Sequence, residues 1–294
     1  MRRPGGFGPP CLLFSMDLVN HPRDLALSEG GAFVPTMGAL HAGHTALMRR
    51  ARRLAAPVVV SIFVNPTQFG PGEDLRRYPR SLEADLRTAR ENGVDIVFVP
   101  TTEVIYPEGD EIPVPPLPEA ATRPALEDAC RPGHFGGVCR VVARLFDLVR
   151  PSVALFGEKD YQQLLVVRQL VGAQGERWPR LRIASHPTVR EPDGLATSSR
   201  NTFLGRDERR RALSVWRALQ AADDALGSGQ GPTAAQERMR AVLTEHGLEV
   251  DYAVLRDART LSAAPLPRTP ARALIAARVG TVRLIDNKEV IGEW

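Results

Sequence analysis

The sequence predicts an α/β protein, a doubly wound parallel sheet followed by a second, smaller α+β unit. Three observations lead there. Short, continuously apolar runs alternate with segments of helical periodicity from residue 31 to about 187, as in buried parallel strands joined by crossover helices. Residues 35–44, Pro-Thr-Met-Gly-Ala-Leu-His-Ala-Gly-His, put two imidazoles where the first of those strands hands over to a helix. After Pro187-Thr188 the alternation gives way to two long helical patterns and then to strand-like stretches.

Taken in order, residues 1–15 are rich in Gly and Pro and are expected to lack order. Arg2, Arg3 and the run Cys11-Leu12-Leu13-Phe14 look superficially like a secretory leader, but the run is too short and Pro and Gly surround it. Gly31 to Val34 reads as a buried strand; Pro35 and Gly38 break it, and Thr45 to Leu54 is helical. Residues 57–64 form a second apolar run. Ser81 to Asn92 is a helix with Ser81 as its cap, Leu82, Leu86 and Ala89 on one face, and Gly93 beyond its end. Val94 to Val99 is a third strand, stopped by Pro100. Residues 107–124 carry Pro107, Pro113, Pro115, Pro116, Pro118 and Pro124, which excludes regular structure and fits a long lid-like loop. Gly137 to Val149 returns to helix with Val138, Val141, Val142, Leu145 and Leu148 as its stripe. Ser152 to Phe156, Tyr161 to Val171 and Leu181 to Ala184 complete the pattern as strand, helix and strand. In the second unit, Arg206 to Leu226 and Ala234 to Glu245 read as helices, and Glu249 to Leu255 and Thr281 to Ile285 as strands. The expected domains are 16–187 and 188–294.

Composition narrows the class. Three cysteines in 294 residues, without metal-site spacing, exclude a disulfide framework and fit a reducing, cytoplasmic setting. No apolar run approaches a membrane span. The net charge is only +4, and the clusters Arg49 to Arg53 and Arg206 to Arg211 read as solvated helix faces, so no nucleic-acid partner is expected. Of 38 basic residues only Lys159 and Lys288 are lysines, so a compact ammonium at either position stands out against an arginine background.

Parallel α/β sheets bind ligands beyond the carboxyl ends of their strands, and the polar motifs fall there. His41 and His44, three apart, would share a face in a helical first turn, beside backbone N–H groups that attract phosphate. Two ordinary surface histidines are the competing reading. Asn65-Pro66-Thr67-Gln68-Phe69 ends the second strand with two uncharged amides, which either cap a turn or read a carboxylate or hydroxyl. Phe156-Gly157-Glu158-Lys159-Asp160 ends the fourth, with Lys159 as a mobile cation, Asp160 as a helix cap and Gln163 one turn on. Thr197-Ser198-Ser199-Arg200 has the make-up of a phosphate clamp.

Together these segments resemble the pantoate–β-alanine ligase (pantothenate synthetase) family of the H-x-G-H nucleotidylyltransferase-like superfamily. The matching stretches are PTMGALHAGH, FVNPTQF, YPRSLEADL, RPGHFGGV, FGEKDYQQL, DGLATSSRN and RLIDN, in order over roughly residues 19–290. The resemblance implies a Rossmann-like first domain, a smaller second domain and a homodimer. It also implies the reaction: ATP and pantoate give pantoyl adenylate and pyrophosphate, and β-alanine then displaces AMP. By position it implies that Met37, Gly38, Ala39, Leu40, His41, Ala42, Gly43 and His44 meet ATP, with His44 as proton donor. Gly157, Glu158, Lys159, Asp160, Val189, Thr197, Ser198, Ser199 and Arg200 would complete the nucleotide site, although Thr197 stands where the family usually carries Met or Leu. Gln68 and Gln163 would hold pantoate, with Asn65, Thr36 and His134 as further substrate-side candidates. His41, His44, Lys159 and Arg200 would carry the catalysis, and Asp85 would lie on the side of a Mg²⁺ ion bound with ATP. An H-x-G-H site reports ATP handling and not the acceptor. A nucleotidylyltransferase with another acceptor is therefore the alternative, and a basic RNA-binding module a remoter one.

Overall fold

The computed structural model describes residues 16–70, 75, 77–108, 112–263 and 269–290; the expectation for residues 1–15 lies outside them. The first unit is a six-stranded parallel sheet. Its strands, in chain order, are β1 (Asp17–Val19), β2 (Ala32–Thr36), β3 (Val58–Ile62), β4 (Ile96–Phe98), β5 (Val153–Gly157) and β6 (Arg182–His186). They lie side by side as β1-β4-β3-β2-β5-β6, so strand order reverses between β2 and β5. β2 pairs with β3 over five residues, from Ala32 beside Val58 to Thr36 beside Ile62. It pairs with β5 over only two, Ala32 with Val153 and Phe33 with Ala154. Beyond Phe33 the two carboxyl ends part, and the crevice they leave is the switch point at which such sheets take ligands.

Both faces of the sheet are covered, which explains the unbroken apolar strands. α1 (Ala42–Leu54) and α2 (Leu82–Glu91) close one face through Leu47, Met48, Ala51 and Ala89 against Val34, Val58 and Val60. After the short α3 (Thr102–Ile105) and α4 (Glu127–Cys130), α5 (His134–Val149) and α6 (Tyr161–Ala173) close the other. Phe33, Phe146, Leu164 and Leu170 are fully buried there. Each such side chain stabilises the fold by about 1.5–3 kcal/mol relative to exposure.

The second unit pairs α7 (Arg206–Gly227) and α8 (Pro232–Glu245) with an antiparallel sheet, β7 (Glu249–Asp257), β8 (Ala271–Val279) and β9 (Val282–Val290), in the order β7-β8-β9. β8 and the three-residue edge strand β1 are additions to the elements expected from sequence. Residues 112–124 are irregular, as their prolines require, and part of the stretch is packed against the first unit. A 3-10 turn at Glu119–Ala121 packs on α6, where the Gln162 amide donates to Ala120 O (2.8 Å) and Ala120 N–H donates to Gln169 Oε1 (2.9 Å). Ser81 and Asp160 stand at the expected N-cap positions of α2 and α6, though neither makes a side-chain bond to its helix.

A buried ion pair joins the two units. Arg283 of β9 donates to both oxygens of Glu127 in α4 at 2.7 and 2.8 Å, and the Tyr252 hydroxyl of β7 adds a bond of 2.8 Å. Burial alone would raise the Glu127 carboxyl, but the Arg283 fork outweighs it and holds the group below its ordinary value. Arg283 also donates to Asp251 Oδ2 at 2.6 Å, so Glu127→Ala leaves the guanidinium one carboxylate of two and should cost about 1.5–3 kcal/mol, the worth of hydrogen bonds to charged groups. Urea unfolding measures this, and a loss under about 1 kcal/mol would show that the pair does not latch the units.

Candidate active site

The crevice beyond β2 and β5 holds a cavity of about 230 Å³. Its floor begins at the turn after β2. Gly38 (φ +81°) and Ala39 (φ +51°) both take left-handed backbone, which is costly for alanine. Asp85 of α2 offsets that cost: its two oxygens accept Ala39 N–H at 2.9 Å and Leu40 N–H at 2.7 Å. A Cβ on Gly38 would meet the same carboxylate at 2.9 Å. Thr36 is buried, with its hydroxyl donating to Ser61 O (2.7 Å) and accepting Gly38 N–H (3.1 Å).

This turn delivers His41 as the N-cap of α1, with extended backbone, instead of within the helix. Gly43 N–H donates to His41 Nδ1 (3.2 Å), and His41 N–H donates to His44 Nδ1 (3.2 Å), so the two imidazoles form a reciprocal capping box. Their rings lie 4.0 Å apart. Burial, then the charge of Lys159, lowers His41 to about 4. Burial, then the neighbouring His41 and Lys159, lowers His44 to about 3. Both rings are therefore neutral at pH 7. Because each Nδ1 accepts a backbone N–H, each proton resides on Nε2, and both imidazoles serve as uncharged hydrogen-bond donors. His44 thus turns Nε2–H away from the helix cap.

The turn after β3 is capped by Asn65, whose Oδ1 accepts Thr67 N–H (3.2 Å), the Thr67 hydroxyl (2.9 Å) and the Tyr106 hydroxyl (2.9 Å). That fixes Asn65 Nδ2 toward Gln68 Oε1 (3.2 Å) and Gly137 O (3.2 Å). Gln68 in turn keeps Oε1 for Asn65, leaving Nε2 beside only a weak acceptor, Met37 Sδ, at 2.9 Å. Asn65 orients Gln68, which then presents N–H donors. The turn sits directly on α5: a Cβ at Gly137 would lie 2.3 Å from Thr67 O, so only glycine fits.

Lys159, Asp160 and Gln163, after β5, line the same cavity with Gly157, Val189, Thr197, Ser198, Ser199 and Arg200. Lys159 Nζ lies 3.9 Å from Asp160 Oδ1. Ser199 already reaches the first turn, its hydroxyl donating to Ala39 O at 3.5 Å. Sequence reasoning named Val138, Val141, Val142 and Leu145 only as a core stripe, yet they form the cavity's apolar wall with Phe63; Tyr78, His186 and Thr188 were not expected there. Gly38, Ala39, Leu40 and Ala42 support the site through their backbone without lining it. Glu158 turns away, accepting the Ser185 hydroxyl at 2.9 Å. His134 stands behind the site, 2.9 Å from Gln68 O through Nδ1. Asp85 also lies outside the cavity, with both oxygens committed to amides; burial raises its pKa and those amides oppose the rise.

Fold and site together define a class: a parallel α/β protein with an H-x-G-H motif in the crevice at its strand crossover. The family model for pantoate-beta-alanine ligase matches residues 17–289. A pantothenate synthetase of Thiobacillus denitrificans is 49% identical, over 94% of this chain and 97% of its own. Another, of Nocardioides sp., is 48% identical over 89% of this chain and 79% of its own. The solved pantothenate synthetase of Thermus thermophilus superposes with a TM-score of 0.88 at 46% identity, covering 94% and 100% of the two chains. The Francisella tularensis pantoate-beta-alanine ligase, solved in complex with beta-gamma ATP and beta-alanine, gives 0.77 at 33%, covering 94% and 98%. The chain belongs to the pantoate-beta-alanine ligase family.

Two outcomes are expected. Asp85→Asn keeps the shape of the side chain, but its NH₂ would face an N–H of the turn. Charge-assisted bonds of this kind are worth about 1.5–3 kcal/mol, so ATP use should fall by roughly ten- to a hundredfold; unchanged kcat/KM for ATP would remove its role in holding the turn. Because both imidazoles protonate only near 3 to 4, kcat/KM for ATP should show no histidine ionisation from them between pH 5 and 8. Loss of activity as pH falls through about 6.5, abolished in His41→Ala or His44→Ala, would contradict neutral rings.

Proposed function

We propose that this chain condenses pantoate with β-alanine to give pantothenate, using ATP. The observation that carries the reading is one cavity that joins uncharged amide donors and an apolar wall to a cationic, imidazole-rich phosphate side. The wall of α5 suits a small branched acid, and Gln68 and Gln163 offer N–H groups to its carboxylate or hydroxyls without adding charge. Lys159, Arg200 and the Nε2–H groups of His41 and His44 face the phosphates, with the Ser198 and Ser199 hydroxyls.

A carboxylate will not acylate an amine because its leaving group would be oxide. In the first step a pantoate carboxylate oxygen attacks the α-phosphorus, and the bond to pyrophosphate breaks. The enzyme's contribution is positional and electrostatic. In the second step the β-alanine amine attacks the acyl carbon and AMP leaves, so no covalent enzyme intermediate is needed. Mg²⁺ would enter with the triphosphate. Asp85 does not suit it as a ligand, since both its oxygens hold the turn. Among the described residues no cluster of three His, Cys, Asp or Glu could hold a metal. A homodimer belongs to the same proposal, and sedimentation of the purified chain is expected at twice the monomer mass; sedimentation at the monomer mass would overturn it. No helix of the described residues is long and apolar enough to cross a membrane.

Pantoate-dependent AMP formation from ATP, with and without β-alanine, tests the reaction. Absence of turnover in folded protein would overturn it, and turnover with other acids only would favour a different acceptor. Removing one charge-stabilising donor costs about 3 kcal/mol of barrier, roughly a hundredfold. His44→Ala and Lys159→Ala are each expected to lose about that much ATP–pyrophosphate exchange while remaining folded; near-wild-type exchange would defeat the assignment.

A further inference from the structure

The two loops that face the phosphates come from distant parts of the chain, yet both rest on adjacent residues of β9. Asn287 is buried, and its amide is fully used: Nδ2 donates to Glu158 O (2.9 Å) and Lys159 O (2.8 Å), and Oδ1 accepts from Arg272 Nη1 (2.7 Å). Its orientation is unambiguous because a guanidinium can only donate. The Arg272 guanidinium is itself held 3.8 Å above the Tyr161 ring, at the start of α6. Asp286, next along the strand, accepts Arg190 at 2.6 and 3.1 Å. Arg190 lies 3.6 Å above the Trp216 ring and also donates to Gly194 O (3.1 Å). Arg190 bridges Ala196, and Thr197 bonds Val189 O through its N–H (2.9 Å) and hydroxyl (3.0 Å), so the hairpin carrying Ser198, Ser199 and Arg200 is anchored at its base.

We propose that Asn287 and Asp286 are positioning residues for adenylation: together they hold the Lys159 turn and the Ser198–Arg200 loop at a common spacing across the phosphates. Neither lines the main cavity, so each acts through the loop it holds. The proposal rests on the function given above. It makes a distinction that a purely structural role would not. Pyrophosphate charge develops only in the first step, so a misplaced Lys159 impairs formation of the adenylate more than its consumption. Displacing a reacting group by about 1 Å costs on the order of a hundredfold.

Asn287→Ala and Asn287→Asp test this. The second keeps the volume and turns a carboxylate oxygen toward two carbonyls. Two reactions are measured on each: pantoate-dependent ATP–pyrophosphate exchange, and amide formation from supplied pantoyl adenylate and β-alanine. Exchange should fall about ten- to a hundredfold, more in Asp than in Ala, while amide formation changes by less than about threefold. Arg190→Lys, which loses the two-pronged bond to Asp286, should show the same split with a raised KM for ATP. Equal losses in both reactions, or no loss in either, would overturn the positioning role. If wild-type protein itself shows no pantoate-dependent exchange, it is the function that fails.

Discussion

The parting of β2 from β5 is the constraint on which the site depends. Two registered pairs hold these central strands together; beyond them β2 stays paired only with β3 and β5 only with β6, and the turns that follow carry backbone polar groups outside any strand ladder. The fold meets that demand from outside the sheet. Asp85 takes the amides of the turn after β2, Asn65 takes the turn after β3, and Asn287 takes the carbonyls after β5. Each supporting side chain is buried, and each leaves its turn pointing into the crevice. The candidate functional groups are thus carried on short turns whose backbone is held by buried side chains.

That arrangement also decides the protonation of the pocket. Imidazoles bonded through Nδ1 to the first turn of α1 have no place for a second proton except at the cost of a helix cap, and Lys159 discourages it further. Positive charge in the cavity therefore comes from Lys159 and Arg200, and the histidines add direction without adding charge. This suits a reaction in which a phosphate must be gripped and then released.

The part of this that was legible in sequence is local. Gly-Ala-Phe-Val followed by Pro and Gly reads as a strand ending, and the helical period beyond it places two histidines at the junction. Lys159 stood out in an arginine-rich chain. What escaped is what depends on distant pairing. Asp85 carries no local sign that it will hold residues 46 and 45 positions earlier. The depressed imidazoles follow from burial, which spacing does not reveal. β8, Ala-Arg-Ala-Leu-Ile-Ala-Ala-Arg-Val, is buried at eight of nine positions, so it lacks the alternation of a half-exposed strand. The prolines of residues 107–124 forbid regular structure, but their packing on α6 was not legible from composition.

The contact between Gly137 and the Thr67 carbonyl has a last consequence. The turn that carries Gln68 is main chain pressed on the main chain of α5, and no exchange of side chains at that point can move it. The width of the cavity is set instead along α5, at Val138, Val141, Val142 and Leu145, where each methyl gained or lost reshapes it directly. The caliper of the pocket is fixed at one jaw and adjustable at the other.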